Sequence, residues 1–286
     1  MSAAADWAEW LSRTRFAGMT DAERDEALRG LAATRDRVID GAALREGDAV
    51  LDLGAGTGLL TFGAHDRIGD GWVFAVDPSV SALEELLRVA HETNVAGVMY
   101  LVGDAEVIPL PDASVDVCMT RSVLMYVAEL QRAVDELARV LKPGGGRLSC
   151  FEPINRKGTY IATTVDWSPV GDDLAQRVAA EWEAYASTSQ LMRLDERAFS
   201  RALADAGFAD VVVELDEVEE LWTVDERSAD LRLDAVGAAG QPSLRERWAA
   251  AFEPAEVDAL VGHLHSLTGQ TLTFRRPQAW ITARRP

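Results

Sequence analysis

The stretch Val50-Leu51-Asp52-Leu53-Gly54-Ala55-Gly56-Thr57-Gly58-Leu59-Leu60 decides the fold of this chain. It begins with a short apolar run of the kind that fills the centre of a parallel sheet. Three glycines then come at alternate positions, and their missing Cβ atoms allow a tight turn on which a ligand can lie against bare backbone. The helix predicted after the turn presents free N–H groups and the positive end of its dipole. The stretch therefore predicts a strand, a turn and a helix that hold a nucleotide-like or carboxylate-bearing ligand.

The segments that follow alternate regularly between strands and helices. Strands are predicted at 49–53, 72–76, 98–102, 114–120 and 147–152, with helices near 58–68, from Ser79 or Ser81 to about 93, and at 129–141. Such alternation implies βαβ units, a parallel sheet and right-handed crossovers. Ligands in these sheets bind beyond the carboxyl ends of the strands. Gly54, Asp77, Asp104 and Arg121-Ser122 all fall at such ends, so we predict the site there.

The flanking regions have a different pattern. Residues 2–45 read as helical, with Thr20 as an N-cap and Glu23 at the capping-box position. After Glu152 the pattern becomes mostly helical. Helices are predicted at 172–188, 195–206 and 224–268, a strand at about 210–222, and a loop that leads into a final strand after Thr271. We therefore predict an N-terminal helical lid (1–46), a ligand-binding core (47–152) and a cap with insertion helices and two last strands (153–286).

Composition restricts the partners and the compartment. The formal net charge of −19 and the pI near 4.6 argue against a nucleic acid or an anionic membrane surface as partner. The N-terminus shows no signal peptide pattern, and no apolar run approaches the roughly 20 residues of a membrane helix. Cys118 and Cys150 lie in apolar runs, as reduced core cysteines do. We expect a cytoplasmic protein, monomeric or homodimeric, without a metal site.

The spacing of the glycines narrows the choice of ligand. A dinucleotide fold shows Gly-x-Gly-x-x-Gly, whereas Gly54, Gly56 and Gly58 are spaced Gly-x-Gly-x-Gly, and Leu59 takes the position of the third glycine. Asp52 places a negative charge where a pyrophosphate would be repelled and where a cationic group would be favoured. Both observations weigh against a nicotinamide-dependent oxidoreductase, which stays as an alternative.

The same stretch carries a resemblance to a known family. Asp52-Leu53-Gly54-Ala55-Gly56-Thr57-Gly58 resembles the first motif of class I S-adenosylmethionine-dependent methyltransferases. Three further stretches resemble the family's later motifs in order and spacing, namely Val76-Asp77-Pro78-Ser79, Gly103-Asp104-Ala105-Glu106 with Ile108–Asp116 after it, and Leu141-Lys142-Pro143-Gly144-Gly145. The resemblance covers about 45–152 and is strongest to the small-molecule branch of the ubiquinone/menaquinone type.

The resemblance implies a fold, a cofactor and an activity. The fold would be Rossmann-like α/β, a mostly parallel seven-stranded sheet with helices on both faces, an antiparallel last strand, a helical N-terminal lid and helical insertions. S-adenosyl-L-methionine would be the cofactor and S-adenosyl-L-homocysteine the product. The reaction would be O-, N- or C-methylation of a small, bulky or partly apolar metabolite, for example in secondary metabolism. A protein that binds S-adenosylmethionine without transferring the methyl group is the main alternative.

The resemblance also implies roles for individual residues in cofactor binding. Asp77 would accept hydrogen bonds from the ribose hydroxyls, unless it only caps a helix. Asp104 would accept from the adenine amino group, unless it is a simple turn residue, and Asp52 would reach the ligand's ammonium group. The remaining predicted cofactor-binding residues are Gly54, Ala55, Gly56, Gly58, Leu59, Pro78, Gly103, Ala105, Arg121, Ser122 and Tyr126.

The acceptor side is less defined by sequence. Met125 and Tyr126 would lie near the sulfonium, since a polarisable sulfur or an aromatic face suits a cation. Candidates for covering the cofactor are Trp7, Trp10, Arg15 and Phe16, and candidates for the acceptor pocket are Tyr126, Arg156, Trp167, Phe274 and Trp280. If the acceptor must lose a proton, His263, His265 and Glu152 are candidate bases. The two histidines lie two residues apart on a predicted helix and therefore face different ways.

Overall fold

The computed structural model describes residues 3–286, with side chains from residue 7 onward, and a seven-stranded sheet forms its centre. The strands are β1 (Ala49–Leu53), β2 (Trp72–Asp77), β3 (Val98–Val102), β4 (Val117–Arg121), β5 (Gly146–Pro153), β6 (Ala209–Thr223) and β7 (Thr271–Arg285). Their order is β3-β2-β1-β4-β5-β7-β6. The first five strands pair in parallel, and β7 runs antiparallel to both of its neighbours. The predicted fold class is confirmed.

Helices connect the parallel strands and cover the two faces of the sheet. Those of the first half are α1 (Ala3–Ser12), α2 (Asp21–Ala42), α3 (Leu59–Ile68), α4 (Val80–Glu92) and α5 (Leu130–Val140). Thr20 caps α2 in the predicted capping box with Glu23. Ser79 caps α4 by accepting the N–H of Ala82 at 3.2 Å. Within residues 3–286, no helix is both long enough and apolar enough to cross a membrane.

The second half adds six helices of the described chain to the fold. They are α6 (Ile161–Thr164), α7 (Asp172–Thr188), α8 (Glu196–Asp205), α9 (Glu226–Asp234), α10 (Leu244–Ala251) and α11 (Pro254–Ser266). Helix α8 packs beside α5 on the sheet. The other five surround the ends of β6 and β7, where a separate hydrophobic core contains Trp167, Trp248 and Phe274. This second core makes the cap a packed unit next to the sheet.

Two strand boundaries differ from the sequence prediction. The last strand starts at Thr271 without a preceding loop, because Thr271–Pro277 pairs with Glu217–Thr223 beyond the edge of β5. The fourth strand begins at Val117 and not at Ser114. The reason is that the N–H groups of Ser114 and Val115 bond to the carbonyl of Val140, at 2.8 and 3.1 Å, and so join the end of α5.

The central strands are buried on both faces, as a parallel sheet requires. Val50 and Leu51 of β1 have no exposed surface, and Leu53 keeps 1%. Cys118 and Cys150 are free and buried in the core, where burial raises the pKa of the Cys150 thiol to about 12. This rigid centre fixes the carboxyl ends of β1, β2, β4 and β5 at one edge of the sheet.

Candidate active site

The turn after β1 is held in a conformation that requires glycine. Gly54, Gly56 and Gly58 have φ angles of 72°, 52° and 95°, in the region that side chains disfavour. A Cβ atom on Gly54 would lie 2.2 Å from Cγ2 of Val123. The N–H of Gly54 donates to the carbonyl of Val76 at 2.7 Å, which fastens the turn to β2. The turn is therefore a fixed surface of bare backbone.

Asp77, the last residue of β2, joins this turn to the start of α4. Its Oδ2 accepts the N–H of Gly56 at 2.8 Å, and its Oδ1 accepts the N–H of Ser79 at 2.8 Å. The N-cap of α4 is Ser79 and not Asp77. Burial raises the pKa of Asp77, and the two backbone hydrogen bonds oppose that shift. Each carboxylate oxygen can accept a further hydrogen bond from a ligand.

Asp52 lies beneath the turn and is 1% exposed. Its Oδ2 accepts the hydroxyl of Thr61 at 2.5 Å. Burial raises the pKa of Asp52 to about 7, the Thr61 hydrogen bond opposes this, and the neighbouring Asp77 carboxylate adds to it. The group is thus poised between its neutral and ionised forms near neutral pH, and a nearby cation would favour the ionised form.

These groups line a cavity of about 400 Å³ at the carboxyl edge of the sheet. The turn, Asp52 and Asp77 form one side. The ends of β4 and β5 contribute Arg121, Ser122, Pro153 and Asn155, and the short 3₁₀ segment after β4 contributes Met125 and Tyr126. Ser122 has a φ of 56°, unusual for a residue with a side chain, and its N–H donates to Phe151 at 2.8 Å. Backbone strain of this kind often occurs at functional sites.

Helix α1 and the short 3₁₀ segment after it (Thr14–Phe16), both within the predicted N-terminal lid, contribute side chains to the cavity. Trp7 packs edge-on against Trp10 and Tyr126, with ring centroids 5.6 and 5.3 Å apart. The indole N–H of Trp10 donates to the carbonyl of Val236 at 2.9 Å, which ties the lid to the loop between α9 and α10. Leu11 and Arg15 also line the cavity from this side. Phe16 lies outside the lining and stacks under the Arg15 guanidinium at 4.6 Å.

Most of the residues predicted to bind the cofactor come together here. The cavity is lined by Asp52, Gly54, Ala55, Gly56, Leu59, Asp77, Pro78, Arg121, Ser122 and Tyr126. Gly58 is the N-cap of α3 and lies behind the lining, against Phe62. Gly103, Asp104 and Ala105 also lie outside the lining, and the Oδ1 of Asp104 accepts N–H groups of its own turn at 2.8 and 3.1 Å. The adenine contact of Asp104 therefore stays a prediction.

The residues predicted for the acceptor and for proton removal are mostly elsewhere. Trp167 and Phe274 are buried in the cap's own core, because the cap packs its aromatic side chains against each other. His263 lies on α11, outside the lining, and its Nε2 is hydrogen-bonded to the carbonyl of Asp166 at 2.7 Å. The same helix carries His265, 3.3 Å from Asp230.

Two further candidates form structural contacts instead. Arg156 pairs with Asp195 at the start of α8. Trp280 donates its indole N–H to Asp216 at 2.9 Å. Of the side chains predicted for the acceptor pocket, the structure brings only Tyr126 to the cavity lining within residues 7–286.

Glu152 has a structural position next to the site. It is fully buried, and its carboxylate accepts the N–H groups of Val123, Leu124 and Met125 at 2.9, 2.9 and 3.4 Å. Burial raises its pKa to about 7, and the three hydrogen bonds oppose this shift. Glu152 thus holds the segment that carries Met125 and Tyr126 in place, and its side chain lies outside the lining.

Some lining residues could not be found by the sequence reasoning. Gly237 reaches the cavity from the loop after α9, and Leu11 reaches it from the lid. Neither belongs to a motif, because their positions depend on contacts between distant parts of the chain. Asn155 had a weak signal, since it follows a strand that ends at the predicted site.

The fold and the site together define a class of protein. A parallel sheet closed by an antiparallel β7, with a glycine turn after β1 and a carboxylate at the end of β2, is the arrangement of class I methyltransferases. The sequence comparisons agree with this class. The methyltransferase domain family matches residues 51–150. The ubiquinone/menaquinone biosynthesis C-methyltransferase of Cronobacter sakazakii is 33% identical over 182 residues, which cover 60% of this chain and 71% of the relative.

Solved structures show the same fold. The YcgJ protein of Bacillus subtilis has a TM-score of 0.56 at 19% identity and covers 88% of this chain and 98% of its own. The geranyl diphosphate C-methyltransferase of Streptomyces coelicolor has a TM-score of 0.51 at 19% identity, and the match covers 89% of this chain and 76% of that enzyme's chain. The chain belongs to the class I S-adenosylmethionine-dependent methyltransferase family, and its sequence is similar to the ubiquinone/menaquinone-type branch of that family. The alternative of a nicotinamide-dependent oxidoreductase is therefore dropped.

Proposed function

We propose that this enzyme transfers the methyl group of S-adenosylmethionine to a small, partly apolar organic acceptor. One observation carries the proposal. A single cavity joins the glycine turn and two carboxylates, Asp52 and Asp77, to a wall of aromatic side chains, Trp7 and Tyr126. The first set suits a cofactor with ribose hydroxyls and an ammonium group, and the second suits an apolar acceptor.

The residues present fit the cofactor. The turn offers backbone without side chains, so the methionine portion of the cofactor can lie against it. Asp77 retains acceptor capacity for the ribose hydroxyls, and Asp52 offers a buried carboxylate to the ammonium group. When bound, S-adenosylmethionine supplies a methyl group that is already activated on a sulfonium.

The contribution of the protein is alignment and exclusion of water. The lid covers the cavity, and the ring centroids of Trp7 and Tyr126 lie 5.3 Å apart on the cavity side of the lid. Aromatic faces in this position suit the positive sulfonium. Burial raises the pKa of Tyr126, so its phenol stays protonated at neutral pH and can donate a hydrogen bond to the acceptor.

We assign no general base. The titratable side chains that line the cavity within residues 7–286 are Arg15, Asp52, Asp77, Arg121 and Tyr126. Asp52 and Asp77 face the cofactor portion, and neither Tyr126 nor the arginines are free to take a proton. We infer that the acceptor atom is already nucleophilic or ionises easily. The C-methyltransferase name of the relatives supports carbon as one acceptor atom, and O- and N-methylation remain open.

The three-part division of the chain is part of this proposal. The lid (1–46) covers the cofactor, the core (47–152) binds it, and the cap (153–286) closes the acceptor side. The separate hydrophobic core of the cap and the contribution of Gly237 to the cavity support this division.

Calorimetry and product analysis test the proposal. We expect S-adenosylhomocysteine to bind the wild type, and Asp77→Ala to weaken binding by about 2 kcal/mol, roughly 30-fold, because the ribose hydroxyls lose a buried carboxylate acceptor. Asp112→Ala, at an exposed aspartate outside the cavity, is the matched control. Methyl transfer is then followed as release of S-adenosylhomocysteine with quinols, phenols and prenylated acids as acceptors. Unchanged affinity in Asp77→Ala would contradict the ribose contact.

A further inference from the structure

Two arginines of the cavity form no hydrogen bond and no ion pair with any residue that the structure describes. Arg15 comes from the lid and Arg121 from the end of β4, and both line the cavity. The Nε atom of each is buried and has no hydrogen-bond partner within the described residues. The Nε of the buried Arg147 also lacks a partner, but its two terminal nitrogens donate to the carbonyl of Ala43 and to Asp48, both at 2.7 Å, whereas those of Arg15 and Arg121 donate to no described residue. The pair in the cavity departs from this pattern.

The surroundings of Arg121 leave its donors unused. Glu152 is the carboxylate that interacts electrostatically with Arg121, but it accepts three backbone N–H groups of residues 123–125 and forms no ion pair with the arginine within the described residues. The ring of Phe151 lies 5.7 Å from the guanidinium. A guanidinium has five N–H donors in a planar fork, and a buried donor without a partner is costly. A ligand could supply the partner that the described residues do not.

Arg15 faces similar surroundings. Its guanidinium lies over the rings of Phe16 and Trp10, at 4.6 and 5.9 Å. Burial, together with the positive charge of Arg121, lowers the pKa of Arg15 to about 10. Two like charges are therefore held at one cavity, and no carboxylate of residues 7–286 is bonded to either. An anion bound to both would remove the repulsion and satisfy the free donors.

The position of Arg121 assigns the anion to the acceptor side. The carboxylates Asp52 and Asp77 belong to β1 and β2, where the cofactor is proposed to bind. Arg121 lies on the other side of β1, at the end of β4, next to Pro153 and Asn155 of the β5 end. The cavity is thus acidic where a cationic cofactor fits and basic where the acceptor enters.

We propose that Arg15 and Arg121 form an anion site that binds a carboxylate or phosphate group of the methyl acceptor. The inference rests on the proposed methyl transfer in this cavity, and it narrows the acceptor to an anionic, partly apolar molecule. Planar guanidinium groups bind such anions through paired hydrogen bonds, which a neutral amide cannot reproduce. Because Arg15 belongs to the lid, the bound acceptor also fastens the lid over the cavity.

The experiment uses small probes on the full chain with saturating S-adenosylhomocysteine. Binding of benzoate, of its neutral counterpart benzamide and of inorganic phosphate is measured by calorimetry. We expect benzoate to bind the wild type at least about tenfold more tightly than benzamide. Arg15→Gln and Arg121→Gln abolish this preference, whereas Arg13→Gln, at an exposed arginine of the same segment, retains it. Arg121→Lys keeps the charge without the fork and gives an intermediate preference.

Two results would contradict the anion site, and a third would contradict the proposed function on which it rests. If the wild type binds benzoate no better than benzamide and does not bind phosphate, there is no anion site. If Arg121→Gln weakens S-adenosylhomocysteine about tenfold but not decarboxylated S-adenosylmethionine, the pair holds the cofactor's own carboxylate instead. If the wild type does not bind S-adenosylhomocysteine at all, the proposed function itself fails, whatever the probes show. A cooperative thermal transition with a midpoint well above the temperature of the titration shows that each glutamine variant is folded.

Discussion

The pKa of Asp52 makes cofactor binding depend on pH in a defined direction. The carboxyl is 1% exposed, and its pKa is raised to about 7. With that pKa, about a tenth of the groups are ionised at pH 6 and about nine-tenths at pH 8. If the ionised form binds the ammonium group of the cofactor, the affinity for S-adenosylhomocysteine rises about tenfold between these values, about 1.4 kcal/mol. The measurement is calorimetric titration at pH 6, 7 and 8.

Two variants isolate the contribution of Asp52. Asp52→Asn keeps the shape of the side chain but cannot ionise, so its affinity is expected to stay near the wild-type value at pH 6 across the whole range. Glu152→Gln is the matched control, because Glu152 also has a pKa of about 7 but lies outside the cavity lining. It should keep the slope of the wild type. The reasoning is refuted by a flat wild-type profile, or by a slope that persists in Asp52→Asn and so belongs to Asp77.

The same pKa shift lowers the stability of the folded protein as the pH rises, whereas it raises the affinity for the cofactor. The folded protein holds the Asp52 proton more tightly than the unfolded chain, whose aspartates titrate near pH 4. The stabilisation is therefore complete below about pH 4 and is lost as the pH rises to about 7. Without ligand, the melting temperature of Asp52→Asn should fall less between pH 5 and pH 8 than that of the wild type.

Two substitutions test the structural parts of the site. Gly54→Ala is expected to destabilise the protein by at least about 2 kcal/mol, since the new Cβ meets Val123 at 2.2 Å and φ is 72°. Gly30→Ala, in an open helical position, should instead stabilise it by about 0.5–1 kcal/mol, and denaturant unfolding compares the two. Glu152→Ala should cost about 3 kcal/mol and weaken cofactor binding, because three backbone donors of residues 123–125 lose their acceptor. A loss below about 1 kcal/mol would contradict the positioning role.

The core of the fold could be predicted because its signals are local. An apolar run, a glycine turn and a helix cap each depend on residues close in sequence, and Thr20, Ser79 and the turn at Gly54–Gly58 all have the structure that these rules predict. The ends of β2 and β4 could also be predicted, and the structure has Asp77 and Arg121 as the last residues of these two strands. Parallel pairing then places those ends at one edge without further information.

The acceptor side could not be predicted because it depends on distant contacts. Trp167 and Phe274 are aromatic residues outside the motifs, and composition does not distinguish a pocket wall from a second core. The structure shows that they pack in the cap. Conversely, Gly237 has no side chain to attract notice, yet the bond from Trp10 to the neighbouring Val236 brings its loop to the cavity. Chain segments more than 200 residues apart meet there.

Arg121 shows where the two kinds of information meet. Its place at the end of β4 follows from the sequence, and the resemblance to the family gave it only a backbone role. The sequence cannot show that Arg121 lacks a partner among the described residues. That depends on Glu152 accepting the N–H groups of residues 123–125 and on Arg15 lying at the same cavity. The motif after β1 thus identifies the methyl donor, whereas the acceptor must be inferred from which buried charges the folded chain leaves unpaired.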